Sequence, residues 1–174
     1  MKKIWIITAA AVLAVSLTGC GVDLSQAASS GTSSKSSSQA ASSAVQADDK
    51  TVPDTLAGLQ KYLTTAASVT GSAENMRSDF IGAKSGVRYH YSYSGKDNVT
   101  LELYEFDTAN LSEAGQKVIS DVKATGKLTV IGQQVDGVLS NNGKYLMIYK
   151  NSATDDANKA YGTQIKKLFT EFKA

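Results

Sequence analysis

The segment from Gly21 to Lys50 constrains this chain most, because it holds almost no side chain able to enter a hydrophobic core. Ser, Ala and Gln dominate the segment, and their burial cannot offset the conformational entropy that is lost on ordering. Periodic apolar residues begin only near Thr51. The pattern therefore predicts a flexible stalk up to residue 50 and one folded domain over 51–174, which is long enough to bury its own core.

The residues that precede this stalk have the parts of a secretory signal. Two lysines after Met1 are followed by an apolar run over 4–17. That run is too short to cross a bilayer, which needs roughly 20 apolar residues, but it has the length of a signal-peptide hydrophobic region. The run ends in the sequence LTGC at 17–20, which contains the only cysteine of the chain.

The sequence LTGC resembles the lipobox of bacterial lipoproteins. The resemblance implies that residues 1–19 are removed as a signal peptide and that Cys20 receives a diacylglyceryl group, with palmitate-type acyl chains holding the protein on the outer face of the cell membrane. Such anchoring is firm, since each buried methylene contributes about 0.8 kcal/mol. Residues 20–50 then comprise the lipidated cysteine and its stalk, which looks like the Ser-rich spacers of Gram-positive lipoproteins.

Helices are predicted within the domain where apolar residues recur every three to four positions. Thr51 is the expected cap of the first helix. Met76 and Phe80, four residues apart, favour a short second helix. The third helix is expected to stop at Gly126. The predicted helical ranges are 53–67, 73–81, 111–124, and 155 to the C-terminal end.

Strands are predicted where apolar and polar residues alternate, and turn residues separate them into two hairpins. The first hairpin covers 86–93 and 99–106, and the second combines 128–131 and 135–139 with 144–149. Asp136-Gly137 indicates a bulge or bend. The prediction is an α+β fold of order α-α-ββ-α-ββ-α, with an antiparallel sheet of about four strands and all helices on one face.

The domain carries no recognisable catalytic motif. Lipidation would consume Cys20, the only thiol, and no G-x-S-x-G sequence is present. Ser120 and Lys123 have the S-x-x-K spacing of penicillin-recognising enzymes but lack the other two motifs of that class. We therefore predict a protein that is not an enzyme and has no catalytic residues.

Metal ions, cofactors and nucleic acids are also not expected as ligands. His90 is the only histidine, whereas a zinc site needs three or four converging ligands. The acidic residues at 155–158 lack the glycine and the final glutamate of an EF-hand loop, and they suit a helix N-terminus. A net charge of +2, from 18 basic and 16 acidic residues, gives no basic patch for nucleic acid.

Tyrosine is the unusual feature of the domain, because most of its tyrosines fall on predicted strands. Tyrosine suits a half-buried sheet, so core packing is one explanation. A binding face is the other, since tyrosine offers a large rigid contact area with a polar tip. If helices cover the face with Val87 and Tyr89, the opposite face becomes a candidate binding surface, comprising Arg88, His90, Tyr104 and Tyr145.

Three functions remain open from the sequence. The favoured expectation is a non-enzymatic domain that is held at the membrane by its lipid and binds a protein or another cell-envelope component. The alternative is a receptor for a small solute, although the domain is small for the usual two-lobed design. A small envelope enzyme, such as a wall hydrolase, is the third reading.

Overall fold

The structure, a computed structural model, describes residues 48–174. The predicted signal peptide, Cys20 and the stalk up to residue 47 lie outside the described residues. The described residues include a 3-10 turn at Asp49–Thr51, and the Asp49 carboxylate accepts the backbone N–H of Lys173 at 2.7 Å. Among residues 48–174, no helix is both long and apolar enough to cross a membrane.

Three α-helices form where the apolar spacing predicts them: α1 (Leu56–Ala66), α2 (Glu113–Thr125) and α3 (Asp156–Glu171). Each begins after a residue whose side chain accepts a backbone N–H of the first turn, which satisfies a group with no partner inside the helix. The cap of α1 is Thr55, whose hydroxyl accepts from Gly58, so the prediction of Thr51 as the cap was wrong. Ser112 and Asp155 cap α2 and α3.

The predicted short helix over 73–81 was wrong. Its first part is strand β1 (Glu74–Asn75), and a 3-10 turn follows at Asp79–Ile81. The Met76 backbone N–H donates to the Gly86 carbonyl at 2.9 Å, so the segment joins a sheet edge. A hydrogen bond to a strand outside the segment thus overrides the local apolar spacing.

The strands that follow β1 are β2 (Ser85–Tyr91), β3 (Val99–Glu105), β4 (Lys127–Val130), β5 (Gln133–Asp136), β6 (Val138–Leu139) and β7 (Tyr145–Asn151). The main sheet is antiparallel and has five strands in the order β1-β2-β3-β7-β6. Strands β4 and β5 pair only with each other. The α+β class and the first hairpin are confirmed, whereas the count of about four strands was too low.

The expected bend at Asp136-Gly137 is present and separates β5 from β6. The chain approaches other side chains too closely there for a larger residue. A Cβ on Gly137 would lie 2.7 Å from Leu128 Cδ2 and 3.1 Å from Leu146 Cδ1. The bend separates β5, which pairs with β4, from β6, which pairs with the main sheet.

Helices cover both faces of the sheet, so the prediction that they share one face was wrong. Helices α1 and α3 pack on the inner face, which carries Tyr89, Leu101 and Met147. Helix α2 and the β4–β5 hairpin pack on the outer face, against Tyr104 and Leu146. Apolar residues on both sides of β3 and β7 account for the two separate cores.

Candidate functional site

The outer face is covered at only one end. Tyr104 and Leu146 lie side by side there and are buried under α2 and β4. The next two rows of residues across β2, β3 and β7 are more polar, and in them only Ile148, which is 5% exposed, belongs to the buried outer core. They are Arg88, Glu102 and Ile148, followed by His90, Thr100 and Lys150.

A groove, which we call the outer groove, occupies this uncovered end and has a volume of about 480 Å³. The sheet provides its floor, and the β4–β5 hairpin forms one wall. The segment that contains Met76 and Phe80 forms the other wall. The residues that define the groove are Met76, Arg77, Phe80, Arg88, Glu102, Tyr104, Val130, Ile131, Gln133, Val135, Ile148 and Lys150.

The groove holds both of the large hydrophobic side chains that residues 48–174 leave exposed. Phe80 is 41% exposed and Ile131 is 90% exposed. Single exposed apolar side chains are common on protein surfaces, but apolar residues that cluster around one concavity mark a binding surface. The clustering makes the outer groove the candidate functional site.

Ile131 has an unfavourable backbone conformation for its residue type. It occupies the two-residue loop between β4 and β5 with Gly132, and their φ angles are 48° and 76°. Two positive φ angles fit a type I′ turn, which normally takes Asn, Asp or Gly at its first position. A β-branched residue is strained there. Because Ile131 is almost fully exposed, packing within the domain does not offset that strain.

Hydrogen bonds fix the polar floor of the groove. Arg88 donates from Nε at 2.9 Å and from Nη2 at 2.7 Å to Glu102 Oε1, and the Tyr104 hydroxyl donates to Glu102 Oε2 at 2.9 Å. The hydrogen bonds with Glu102 raise the pKa of Arg88, while burial and the Glu102 charge raise the pKa of Tyr104. Arg88 and Tyr104 therefore keep one protonation state through neutral pH, and the floor is a fixed pattern of charge.

The four residues that the sequence placed on one binding face do not all meet. Arg88 and Tyr104 both line the groove, although only 1% of Tyr104 is exposed. His90 lies on the same face one row away, exposed, with Nε2 3.3 Å from Thr100 Oγ1. Tyr145 is fully buried on the inner face and donates its hydroxyl to Asp54 Oδ1 at 2.6 Å. Odd-numbered residues of β7 point toward α1 and α3, which removes Tyr145 from the candidate surface.

Tyr89, Tyr91 and Tyr161 on the inner face pack in the core, which is the first of the two explanations given for the tyrosines. The hydroxyls of Tyr91 and Tyr161 lie 2.7 Å apart, and Tyr161 donates to the Ala67 carbonyl at 2.9 Å. Tyr89 accepts from the Gln60 amide at 3.0 Å. These groups stabilise the core and leave no free polar tip for a ligand.

Phe80, Ile131 and Lys150 line the groove but are absent from the sequence-based face. The sequence Ile131-Gly132 could have indicated a role for Ile131. An Ile at a turn position that normally holds Asn or Asp departs from the usual turn pattern. Phe80 was assigned to a helix that does not form. Residues 48–174 contain no group of three or more His, Cys, Asp or Glu side chains placed to hold a metal ion.

Comparisons of the chain with protein-family models, with curated proteins and with solved structures each found no significant match.

Proposed function

We propose that this protein is a lipoprotein, held by Cys20 at the outer face of the cell membrane, whose domain binds a protein or another envelope component through the outer groove without catalysing a reaction. One observation carries the binding role: the groove collects both exposed large hydrophobic side chains of the described domain beside an ordered charged floor. Interfaces combine apolar anchors with such a polar surround. The anchor itself is inferred from the sequence at 17–20.

Ile131 is the first candidate for an energetic anchor of the interface. Its side chain projects from the tip of a short hairpin, and a partner that covers it would gain up to about 2 kcal/mol from burial of an Ile side chain. A few well-buried residues dominate the affinity of most interfaces. Phe80 on the opposite wall would enclose the same partner from the other side.

The first described residues of the chain pack on one face of the main sheet. Val52 belongs to the core of the inner face, and Asp49 accepts a hydrogen bond from Lys173, just after α3. The outer groove opens on the other face of the sheet. The first described residues of the chain therefore attach on the face opposite to the one that carries the groove.

Photo-crosslinking in intact cells tests the proposal. A photoreactive amino acid at position 131 should give a discrete adduct with one envelope component, and the matched exposed position Lys61 on α1 should not. Lys150→Glu in the same chain should reduce the adduct at 131 severalfold if the groove recognises its partner by charge. Equal adducts from positions 131 and 61 would contradict a specific groove.

The anchor is tested separately. Metabolic labelling with a clickable fatty acid should mark the natural chain, and Cys20→Ser should abolish the label. A natural chain that stayed unlabelled, or a Cys20→Ser chain labelled equally, would reject lipid anchoring at Cys20.

A small-ligand receptor is the second candidate, and the size of the groove favours it. Its volume of about 480 Å³ falls within the range of about 300–1,000 Å³ that is usual for small-molecule sites. A panel of solutes tests this function by the melting temperature of the domain. A solute that raises this temperature by several degrees, with the rise lost in Ile148→Ala, would favour a small ligand over a macromolecular partner.

A further inference from the structure

Strand β7 is paired over only part of its length on one side. Strand β6 pairs Leu139 with Leu146 and Val138 with Met147, and the chain before it turns away at Gly137. Within residues 48–174, no strand continues that pairing alongside 148–151. This part of β7 is an open edge of the main sheet.

The hydrogen bonds at either end of β7 show which backbone groups face that edge. The Lys144 carbonyl accepts from Phe106 and the Ser152 N–H donates to Asn98, both toward β3, whereas the Tyr145 carbonyl accepts from Ser140 on the side of β6. Successive residues of an antiparallel strand bond to opposite neighbours.

It follows that Tyr149 and Asn151 direct their N–H and carbonyl groups toward the open edge. Among the described residues, none of these four groups has a hydrogen-bond partner.

We propose that this edge accepts an extended acidic segment of a partner protein as an additional strand. The inference rests on the proposed binding function and names the class of partner. A peptide that adds to a sheet edge gains affinity from main-chain hydrogen bonds and specificity from pockets for alternate side chains. The edge offers up to four such hydrogen bonds, at Tyr149 and Asn151.

Grooves on both sides of the edge fit the alternating side chains of an added strand. On one side lies the outer groove, whose lining includes Ile148 and Lys150 of β7 and Val135 of β5. On the other side a second groove of about 410 Å³ lies between β7 and α3 and includes Tyr149, Gly162 and Lys166. A Cβ on Gly162 would lie only 3.2 Å from Tyr149 Cε1, so the glycine lets the half-buried Tyr149 ring pack against α3 as one side of this groove.

Charge favours an acidic segment. The two grooves are lined by Arg77, Arg88, Lys150, Lys159 and Lys166. The single carboxylate that lines them is Glu102, and both of its oxygens already accept hydrogen bonds. In the described domain, Lys150 and Lys166 have no carboxylate within 4.0 Å. Lys166 Nζ lies 5.9 Å from the centroid of the Tyr149 ring, and an acidic strand would add a carboxylate partner to it and to Lys150.

The rival explanation is protective. Lysines on an exposed edge commonly prevent unwanted strand pairing, and they would then act against any added strand. The two explanations differ for an acidic peptide, which the proposal expects to bind and a protective edge would not.

Peptide binding to the full lipidated chain in nanodiscs tests the inference. The probes are fluorescein-labelled peptides of about eight residues, enough to span a strand, that alternate glutamate with valine, isoleucine, leucine or phenylalanine. We expect at least one to bind, and the matched peptides with lysine in place of glutamate to bind at least tenfold more weakly. Lys166→Glu should weaken the acidic peptide about tenfold, and the control Lys61→Glu should not.

N-methylation separates strand addition from binding by side chains alone. Methyl groups on alternate amides of the tightest peptide should abolish binding in one register, where those amides face β7, and be tolerated in the other. Equal effects of the two registers, or no binding by any acidic peptide, would overturn the inference. If the adduct at position 131 persisted in cells in either case, the proposed binding function would stand without it.

Discussion

The two faces of the main sheet differ in how completely other elements cover them. On the inner face, Leu101, Leu103 and Met147 are fully buried beneath α1 and α3. On the outer face, burial ends after the row that holds Ile148, and Lys150 reaches solvent. Because neighbouring residues of a strand point to opposite faces, one set of strands can stabilise the fold with one face and present a binding surface with the other.

The hydrogen bonding of polar side chains also differs between the inner and outer faces. Among residues 48–174, no buried side-chain nitrogen or oxygen lacks a hydrogen-bond partner. On the inner face the tyrosine hydroxyls bond to one another and to the backbone, as Tyr91 and Tyr161 do. On the outer face Arg88 meets Glu102 but stays part-exposed. The comparison predicts that substitutions on the inner face affect stability and that those on the outer face affect binding.

The largest effect should come from the inner face. Leu103→Ala should lower the free energy of unfolding by about 3 kcal/mol, because it removes buried methylene groups and leaves a cavity that the helices cannot fill. Ile148→Ala, at the groove, should cost less, about 2 kcal/mol, since water can enter the space. Urea denaturation measures both. An equal or larger loss for Ile148→Ala would break the distinction between the two faces.

Gly137→Ala tests the bend that carries the hairpin over the outer face. The new methyl group would meet Leu128 and Leu146, and the overpacking should cost about 2 kcal/mol. The matched control is Gly132→Asn at the hairpin turn, where no atom lies within 4 Å of a Cβ. A Gly137→Ala chain as stable as the natural one would show that close packing does not require glycine there.

Alkaline pH should lower the stability of the domain through its buried tyrosines, most of which lie on the inner face. Burial raises the pKa of Tyr91 and Tyr145 above the unfolded value, and that of Tyr161 to about 12. The unfolded chain then releases protons above pH 10 that the folded chain keeps. Stability should be unchanged below about pH 9.5 and fall above pH 10, by at most about 1.4 kcal/mol per pH unit for each such tyrosine.

Urea denaturation followed between pH 7 and 11.5 gives the slope of this loss. Tyr145→Phe should flatten it, since one proton fewer is then released on unfolding. A slope that is unchanged in Tyr145→Phe would contradict the assignment to buried tyrosines.

The smallest effect on the fold should have the opposite sign. Ile131→Asn relieves a strained turn residue and should raise the free energy of unfolding by about 0.5–1 kcal/mol, while it removes an apolar anchor of the groove. The same chain should lose most of its partner or peptide binding. A variant that bound normally would reject a role for Ile131 in recognition.

The sequence predicts the elements of this fold better than their arrangement. Alternation located β2 and β3 almost to the residue, and Gly126 ended α2 as expected, because these signals are local. The helix prediction for 73–81 was wrong because this segment forms a hydrogen bond with Gly86, which lies on another strand. Nothing in the apolar stripe of α2 states which face of the sheet it covers.

The candidate site was predicted only in part for the same reason. Arg88 and Tyr104 follow from the alternation of β2 and β3 once one face is known. Phe80 and Val135 reach the groove from segments whose path depends on β1 and on the bend at Gly137, which involve contacts far apart along the chain.

The hydrogen bond between Asp49 and Lys173 has a mechanical consequence. Tension applied through the residues before Asp48 would enter the domain where its first turn is tied to the end of α3, and the inner helices would bear the load. Neither the β4–β5 hairpin nor the edge of β7 includes Asp49 or Lys173, so neither would be the first part of the domain to receive the load.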